Sequence, residues 1–144
     1  MTVKQLSVFV ENRPGRLSAV TETLANAGIN IRAVSIADTK DFGIMRIIVN
    51  DTDKAVAVLK ENNFIASAAN VLAVIADDKP GSMAAIMKTL YNDNISVEYM
   101  YAAFLNPAKG TACLILRVDN NEAAEAALAE SGCKLLSEKE IAEI

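Results

Sequence analysis

Two stretches, ENRPGRL at 11–17 and DDKPGSM at 77–83, repeat one pattern of turn residues 66 positions apart (80 − 14). A repeat constrains a chain of 144 residues more than any composition does, because each copy must then form one supersecondary unit. The match extends beyond Pro-Gly. At the same offset Leu17 meets Met83, Val20 meets Ile86, Leu24 meets Leu90, Asn26 meets Asn92, Ile29 meets Ile95 and Ile31 meets Val97. Further on the offset becomes 69: Ile47 meets Leu116, Val49 meets Val118, Asp53 meets Glu122, Ala55 meets Ala124 and Leu59 meets Leu128. The three added residues (69 − 66) fit best in LNPAKG, where a hairpin tip tolerates insertion.

Each copy has the same internal order. KQLSVFV alternates, with Leu6, Val8 and Val10 on one face, as a half-buried strand does. Pro14 suits the first turn of a helix, where its missing N–H has no partner to lose. Leu17, Val20, Leu24 and Ala27 follow at helical spacing and stop at Gly28. INIRAVSIAD and GIMRIIVND are β-branched runs joined by polar residues, which predicts a hairpin. Asp51 or Thr52 is placed to cap a second helix, and FIAS supplies a last short strand. The order β-α-β-β-α-β is the split ferredoxin-like unit. Copy two repeats it from about Val71 to Leu136, and Ser137 and Glu140 stand at capping-box spacing before a short terminal helix. The expected fold is α+β: two tandem units, residues 1–68 and 69–144, each an antiparallel sheet with helices on one face, set side by side.

Composition removes several classes of function. The net charge of −4 and scattered Lys and Arg give no basic stripe for nucleic acid. The longest uncharged run, FIASAANVLAVIA at 64–76, is too short and broken to span a bilayer, and the N-terminus does not read as a signal peptide. The expected location is cytoplasmic. With no histidine in the chain, Ser-His, Cys-His and His-ligated metal chemistry are excluded. Cys113 and Cys133 have no metal-like spacing and read as reduced thiols. No catalytic constellation, metal site or cofactor is indicated. VEYMYAAFL is apolar on both faces, so the second sheet face is expected to be covered by another copy of the chain.

A βαββαβ unit with Asn or Asp two residues before Pro-Gly, at the junction of first strand and first helix, resembles the ACT domain. The resemblance covers nearly the whole chain as two copies. It implies a regulatory module that binds a free amino acid and controls amino-acid metabolism, through self-association, such as a homodimer, or through a separate enzyme partner. It also implies that the Asn before Pro-Gly and a polar residue opening the second strand contact the ligand. Those positions are Asn12 and Asn30 in copy one, and Asp78 and Ser96 in copy two. Their neighbours complete the expected site: Arg13, Gly15, Arg16, Leu17 and Ile31, then Lys79, Gly81, Ser82, Met83 and Val97. Copy one matches the family pattern better. In copy two Asp78 suits an ammonium but repels a carboxylate.

The same residues admit plainer roles. Asn12 and Asp78 can be helix caps alone. Asn30 and Ser96 can simply open a strand after a turn, and Arg13, Arg16 and Lys79 can be solvated loop charges. Two rival functions follow: a docking or dimerisation module with vestigial ligand sites, and a small enzyme using carboxylate or Lys chemistry, for which no nucleophile-base pair can be named.

Overall fold

The computed structural model describes residues 1–38, 40–104 and 110–144, and the chain forms two compact units. One comprises Lys4–Ala69; the other comprises Asn70–Ile144 together with Met1–Val3. LNPAKG, the expected insertion, lies outside the described residues except for Gly110.

In the first unit, β1 (Val3–Glu11) leads to α1 (Arg16–Asn26), then the hairpin of β2 (Ile31–Asp38) and β3 (Phe42–Val49), then α2 (Thr52–Glu61). The sheet order is β2-β3-β1, antiparallel throughout. Alternation along β1 and β3 decides which face the helices cover. Leu6 pairs with Ile47 and Val8 with Met45, and all four pack with Val20 and Leu24 of α1 and Ala55 and Leu59 of α2. Leu6, Leu24, Ile47 and Leu59 are fully buried, each contributing roughly 1.5–3 kcal/mol of hydrophobic free energy. The opposite face carries Ser7, Phe9, Ile44 and Arg46.

The second unit is built the same way. Its strands are the end of β4 (Ile65–Asp77), β5 (Val97–Ala102), β6 (Thr111–Val118) and the two-residue β7 (Lys134–Leu135), in the order β5-β6-β4-β7. Its helices are α3 (Ser82–Asn92) and α4 (Asn121–Glu130). Leu72, Val74, Leu114 and Leu116 face Ile86, Leu90, Ala124 and Leu128. A terminal helix, α5 (Glu138–Glu143), begins with the expected capping box: the Glu140 amide donates to Ser137 Oγ at 3.2 Å, and the Ser137 amide donates to Glu140 Oε2 at 2.8 Å. The fold is thus two tandem ferredoxin-like units, each with its helices on one sheet face.

Three local expectations need correction. FIAS is not a short strand of its own: Phe64 lies just before β4, and Ile65 opens that single strand of 13 residues, which ends the first unit and begins the second. Pro14 is not the first helical residue. It sits in a turn, and the cap position of α1 is Gly15 in the left-handed region (φ 88°). Neither Asn12 nor Asp78 caps a helix, because α1 and α3 have no side-chain cap. The side-chain caps of α2 and α4 are Asp51, accepting from the Lys54 amide at 3.1 Å, and Asn120, accepting from the Ala123 amide at 3.0 Å. The left-handed exit at Gly28 (φ 71°) has its counterpart in Asn94 (φ 55°), 66 residues on, since Asn tolerates that conformation.

Candidate functional site

The two Pro-Gly loops share one backbone. The Asn12 amide donates to Asp41 O at 2.9 Å, and the Asp78 amide donates to Gly110 O at 2.7 Å. Arg13 donates to Glu11 O at 2.9 Å and Lys79 to Asp77 O at 3.0 Å. Gly15 (φ 88°, ψ −13°) and Gly81 (φ 91°, ψ −14°) then turn the chain into the helix. A side chain at either position would meet no neighbour within 4 Å, so glycine is required by the backbone angle and not by crowding. Each loop also carries one ion pair, Arg13 to Glu11 and Lys79 to Asp77 at 2.9 Å.

Side chains distinguish the loops. In the first, Asn12, Arg13 and Gly15 are exposed, Leu17 is largely exposed, and Asn12 Nδ2 donates weakly to Lys40 O at 3.4 Å. Arg16 turns inward: its Cζ stacks 5.1 Å from the centroid of the buried Phe64 ring, and its buried Nε has no hydrogen-bond partner among the described residues. In the second, Asp78, Lys79 and Gly81 are exposed, Met83 is largely exposed and Ser82 is half-buried. Below that loop lies a cavity of about 620 Å³. Its walls are the end of β4 (Ile75, Ala76, Asp77), the loop and first turns of α3 (Lys79, Pro80, Gly81, Ser82, Ala85, Ile86, Thr89) and the turn after α4 (Ser131, Gly132, Cys133, Lys134).

The strand-opening residues lie elsewhere in each unit. Glu11 of β1 is opposite Phe42, whereas Ile31 of β2 is opposite Val49. Asn12 and Asn30 are thus at opposite ends of the sheet, separated by seven residues of β3 (49 − 42), about 23 Å at ~3.3 Å per residue. Asn30 and Ser96 are exposed, with Ile31 and Val97 half-buried beside them. Each is held by a reciprocal pair of hydrogen bonds. The Asn30 amide donates to Asn50 Oδ1 at 2.8 Å and the Asn50 amide returns to Asn30 O at 3.1 Å. Ser96 and Asp119 make the same pair, both at 3.1 Å. One unit does not bring its two expected ligand contacts together.

Of the residues expected from the sequence, Lys79, Gly81 and Ser82 line the cavity. Thr89 and Ser131–Lys134 line it too and were not anticipated. The missing signal was available in the repeat: the turn after α4 falls 69 residues beyond the turn after α2. Cys133 is half-buried, and its Sγ accepts from Ser131 Oγ at 3.4 Å. Cys113, by contrast, is buried, and burial pushes its thiol up to about 12. Among the described residues no helix is long and apolar enough to cross a membrane.

The whole chain, residues 1–144, matches the family model of the ACT domain pair, and the protein belongs to that family. A solved structure of a protein from Bacteroides thetaiotaomicron is 36% identical, covers 100% of this chain and 98% of its own, and superposes with a TM-score of 0.93. The regulatory subunit of aspartate kinase from Thermus thermophilus, in its ligand-free form, is 16% identical, with 88% of this chain and 90% of that one covered and a TM-score of 0.63. Its counterpart from Thermus flavus is 15% identical over 90% and 92%, with a TM-score of 0.62. These last two likenesses are of fold. None of the curated proteins compared matches the chain.

Proposed function

We propose that the protein is a non-enzymatic regulatory subunit that binds a small free amino acid and reports it through self-association or contact with a separate enzyme. The observation that carries this reading is the cavity of about 620 Å³ beneath the second Pro-Gly loop, within the range of small-molecule sites. Its walls combine apolar Ala85 and Ile86 with the charges of Lys79, Lys134 and Asp77. That set suits a zwitterion: an ammonium for the ligand's carboxylate, a carboxylate for its ammonium, and apolar contacts for a short side chain.

Membership of the ACT domain pair family supports the reading, and so does the use of the same fold as a regulatory subunit in the aspartate kinases of two Thermus species. A ligand that also engaged an Asn30-type group would take it from another unit, which a second copy of the chain can supply. The expected cytoplasmic location and the absence of cofactor, metal and nucleic acid remain part of the proposal.

The docking-module reading has one observation in its favour, the exposed Phe9–Phe42 pair on the helix-free face, with ring centroids 5.7 Å apart. Calorimetric titration with each of the twenty amino acids, followed by light scattering with any that binds, separates the two. Heat of binding with at least one amino acid, accompanied by a change in mass or in partner affinity, is the expected result. Silence from all twenty in a folded protein would favour the docking module.

A further inference from the structure

The helix-free face of the first unit changes character along its strands. Its residues fall into rows set by the register: Ala33 and Ile48, then Ser35, Arg46 and Ser7, then Ala37, Ile44 and Phe9, then Phe42 and Glu11. Ala33 and Ile48 are buried, and the row of Ser35, Arg46 and Ser7 is half-buried. Beyond it the face opens. Phe9 and Phe42 are each 47% exposed, with ring centroids 5.7 Å apart, and half-buried Ile44 and exposed Ala37 extend the apolar surface across three strands. The second unit has no such patch. At the offsets of 66 and 69, Phe9 becomes Ile75, Ile44 becomes Cys113, Phe42 becomes Thr111 and Arg46 becomes Ile115. Cys113 and Ile115 are buried there, and Ile75 and Thr111 are half-buried.

We propose that the Phe9–Phe42 patch is where two copies of this chain meet, through a two-fold contact of helix-free faces centred on the row of Phe9 and Ile44. An aromatic patch that occurs once per chain closes a pair of copies and does not propagate a filament. The flanking residues fit that symmetry. Glu11 and Phe42 lie two residues to one side of the central row, and Ser7 and Arg46 lie two residues to the other. A half-turn about an axis along the row exchanges the two sides. Arg46 then comes over the ring of the partner's Phe42 and beside the partner's Glu11, while Phe9 and Ile44 meet their own counterparts. Glu11 also pairs with Arg13 in its own loop, so the partner's Arg46 adds a second cation to that carboxylate. A half-turn about the strand direction would set like charges at the same level, which disfavours that alternative. Four apolar side chains cover far less than the ~800 Å² per partner of a stable interface, so the dimer is weak and concentration-dependent. No ligand takes part, and the contact is therefore independent of the amino-acid reading. It also moves the covered face suggested by VEYMYAAFL out of the second unit, where Tyr101 pairs with buried Ile115, and into the first.

Sedimentation equilibrium of the full chain without added amino acid, from about 1 μM to about 1 mM, tests the contact. The mass should rise with concentration from 15.4 kDa toward twice that value. Phe9→Lys places a charge against its own copy at the centre and should weaken association about tenfold or more. Its circular dichroism should be unchanged, because Phe9 is exposed. Separately, a short bismaleimide should join two chains of an Ile44→Cys variant at the introduced thiols, read by peptide mass spectrometry. A Tyr91→Cys variant, altered at an exposed position on α3, should link far less. The cross-link keeps Phe9, so it decides the matter even where the lysine variant unfolds. A mass that stays at 15.4 kDa throughout overturns the proposal and leaves the patch to a different protein. A dimer that Phe9→Lys does not weaken, or that links through the Tyr91→Cys thiol and not the Ile44→Cys thiol, overturns it as well, because association then uses another surface.

Discussion

Arg16 lies with its guanidinium carbon 5.1 Å from the centroid of the Phe64 ring, so the first helix of the first unit is tied to the turn that follows its second helix. The stack is a cation over an aromatic face, and the ring is also part of the hydrophobic core of that unit. At the aligned positions, 66 and 69 residues on, the second unit has Ser82 and Cys133, and both line its cavity. This contrast leads to predictions that differ between two copies of one fold.

Truncation should be costly in the first unit and cheap in the second. Phe64→Ala removes a buried ring and leaves a cavity, at about 3–4 kcal/mol of stability. Cys133→Ala removes one half-buried sulfur beside existing space and should change stability by less than about 1 kcal/mol. Urea denaturation of the two variants checks the asymmetry.

The two Pro-Gly loops should respond alike to loss of glycine. Gly15 and Gly81 have φ of 88° and 91°, and a Cβ would touch nothing within 4 Å at either. Gly15→Ala and Gly81→Ala should therefore each cost about 1–2 kcal/mol of backbone strain alone. A clearly larger effect at one loop, read by thermal unfolding, would show a crowding that this geometry does not contain.

Asn12→Ala should leave stability within about 0.5 kcal/mol, because its exposed side chain makes one long hydrogen bond and caps nothing. Asp51→Ala and Asn120→Ala remove true caps and should cost about 1 kcal/mol each. Chemical denaturation of the three variants side by side tests which residues hold helix ends.

Acid should weaken the last helix in a defined way. Hydrogen bonds from the Ser137 backbone and then its hydroxyl, aided by Lys134, hold the Glu140 carboxyl below its ordinary value of 4.5. A carboxylate whose folded-state pKa is depressed adds stability that is present above its unfolded value and lost as pH falls through the folded one. Stability should thus decline below pH 4.5 in part through this group, and Glu140→Gln should flatten that part of the profile. A profile unchanged by the substitution would show that the capping box does not contribute.

The order of elements was legible because it depends on local chemistry repeated twice. Gly28, Asp51 and the Ser137–Glu140 box each act within a few residues of themselves, and each falls where the sequence places it. Asn12 and Asn30 show the limit of such reading. Both stand where the family pattern puts them, but the register of β3 against β1 and β2 sends them to opposite ends of the sheet. Pro14 shows one local rule overriding another, since a left-handed Gly15 takes the cap position and leaves the proline outside the helix. The cavity beneath the second Pro-Gly loop was hidden for a different reason. It follows from what is small at Ser82 and Cys133, and a missing side chain gains meaning only against the copy that keeps it.

The central claim is that the folded protein binds a small amino acid, and thermal unfolding in the presence of each of the twenty tests it most directly. Binding to the folded state alone, at a hundredfold excess over the dissociation constant, adds about 2.7 kcal/mol of stability. The account predicts a rise in the unfolding midpoint with at least one small amino acid, growing with its concentration and lost in the Ser82→Arg, Cys133→Phe double variant. A midpoint that none of the twenty moves, in a protein that unfolds cooperatively, would contradict it.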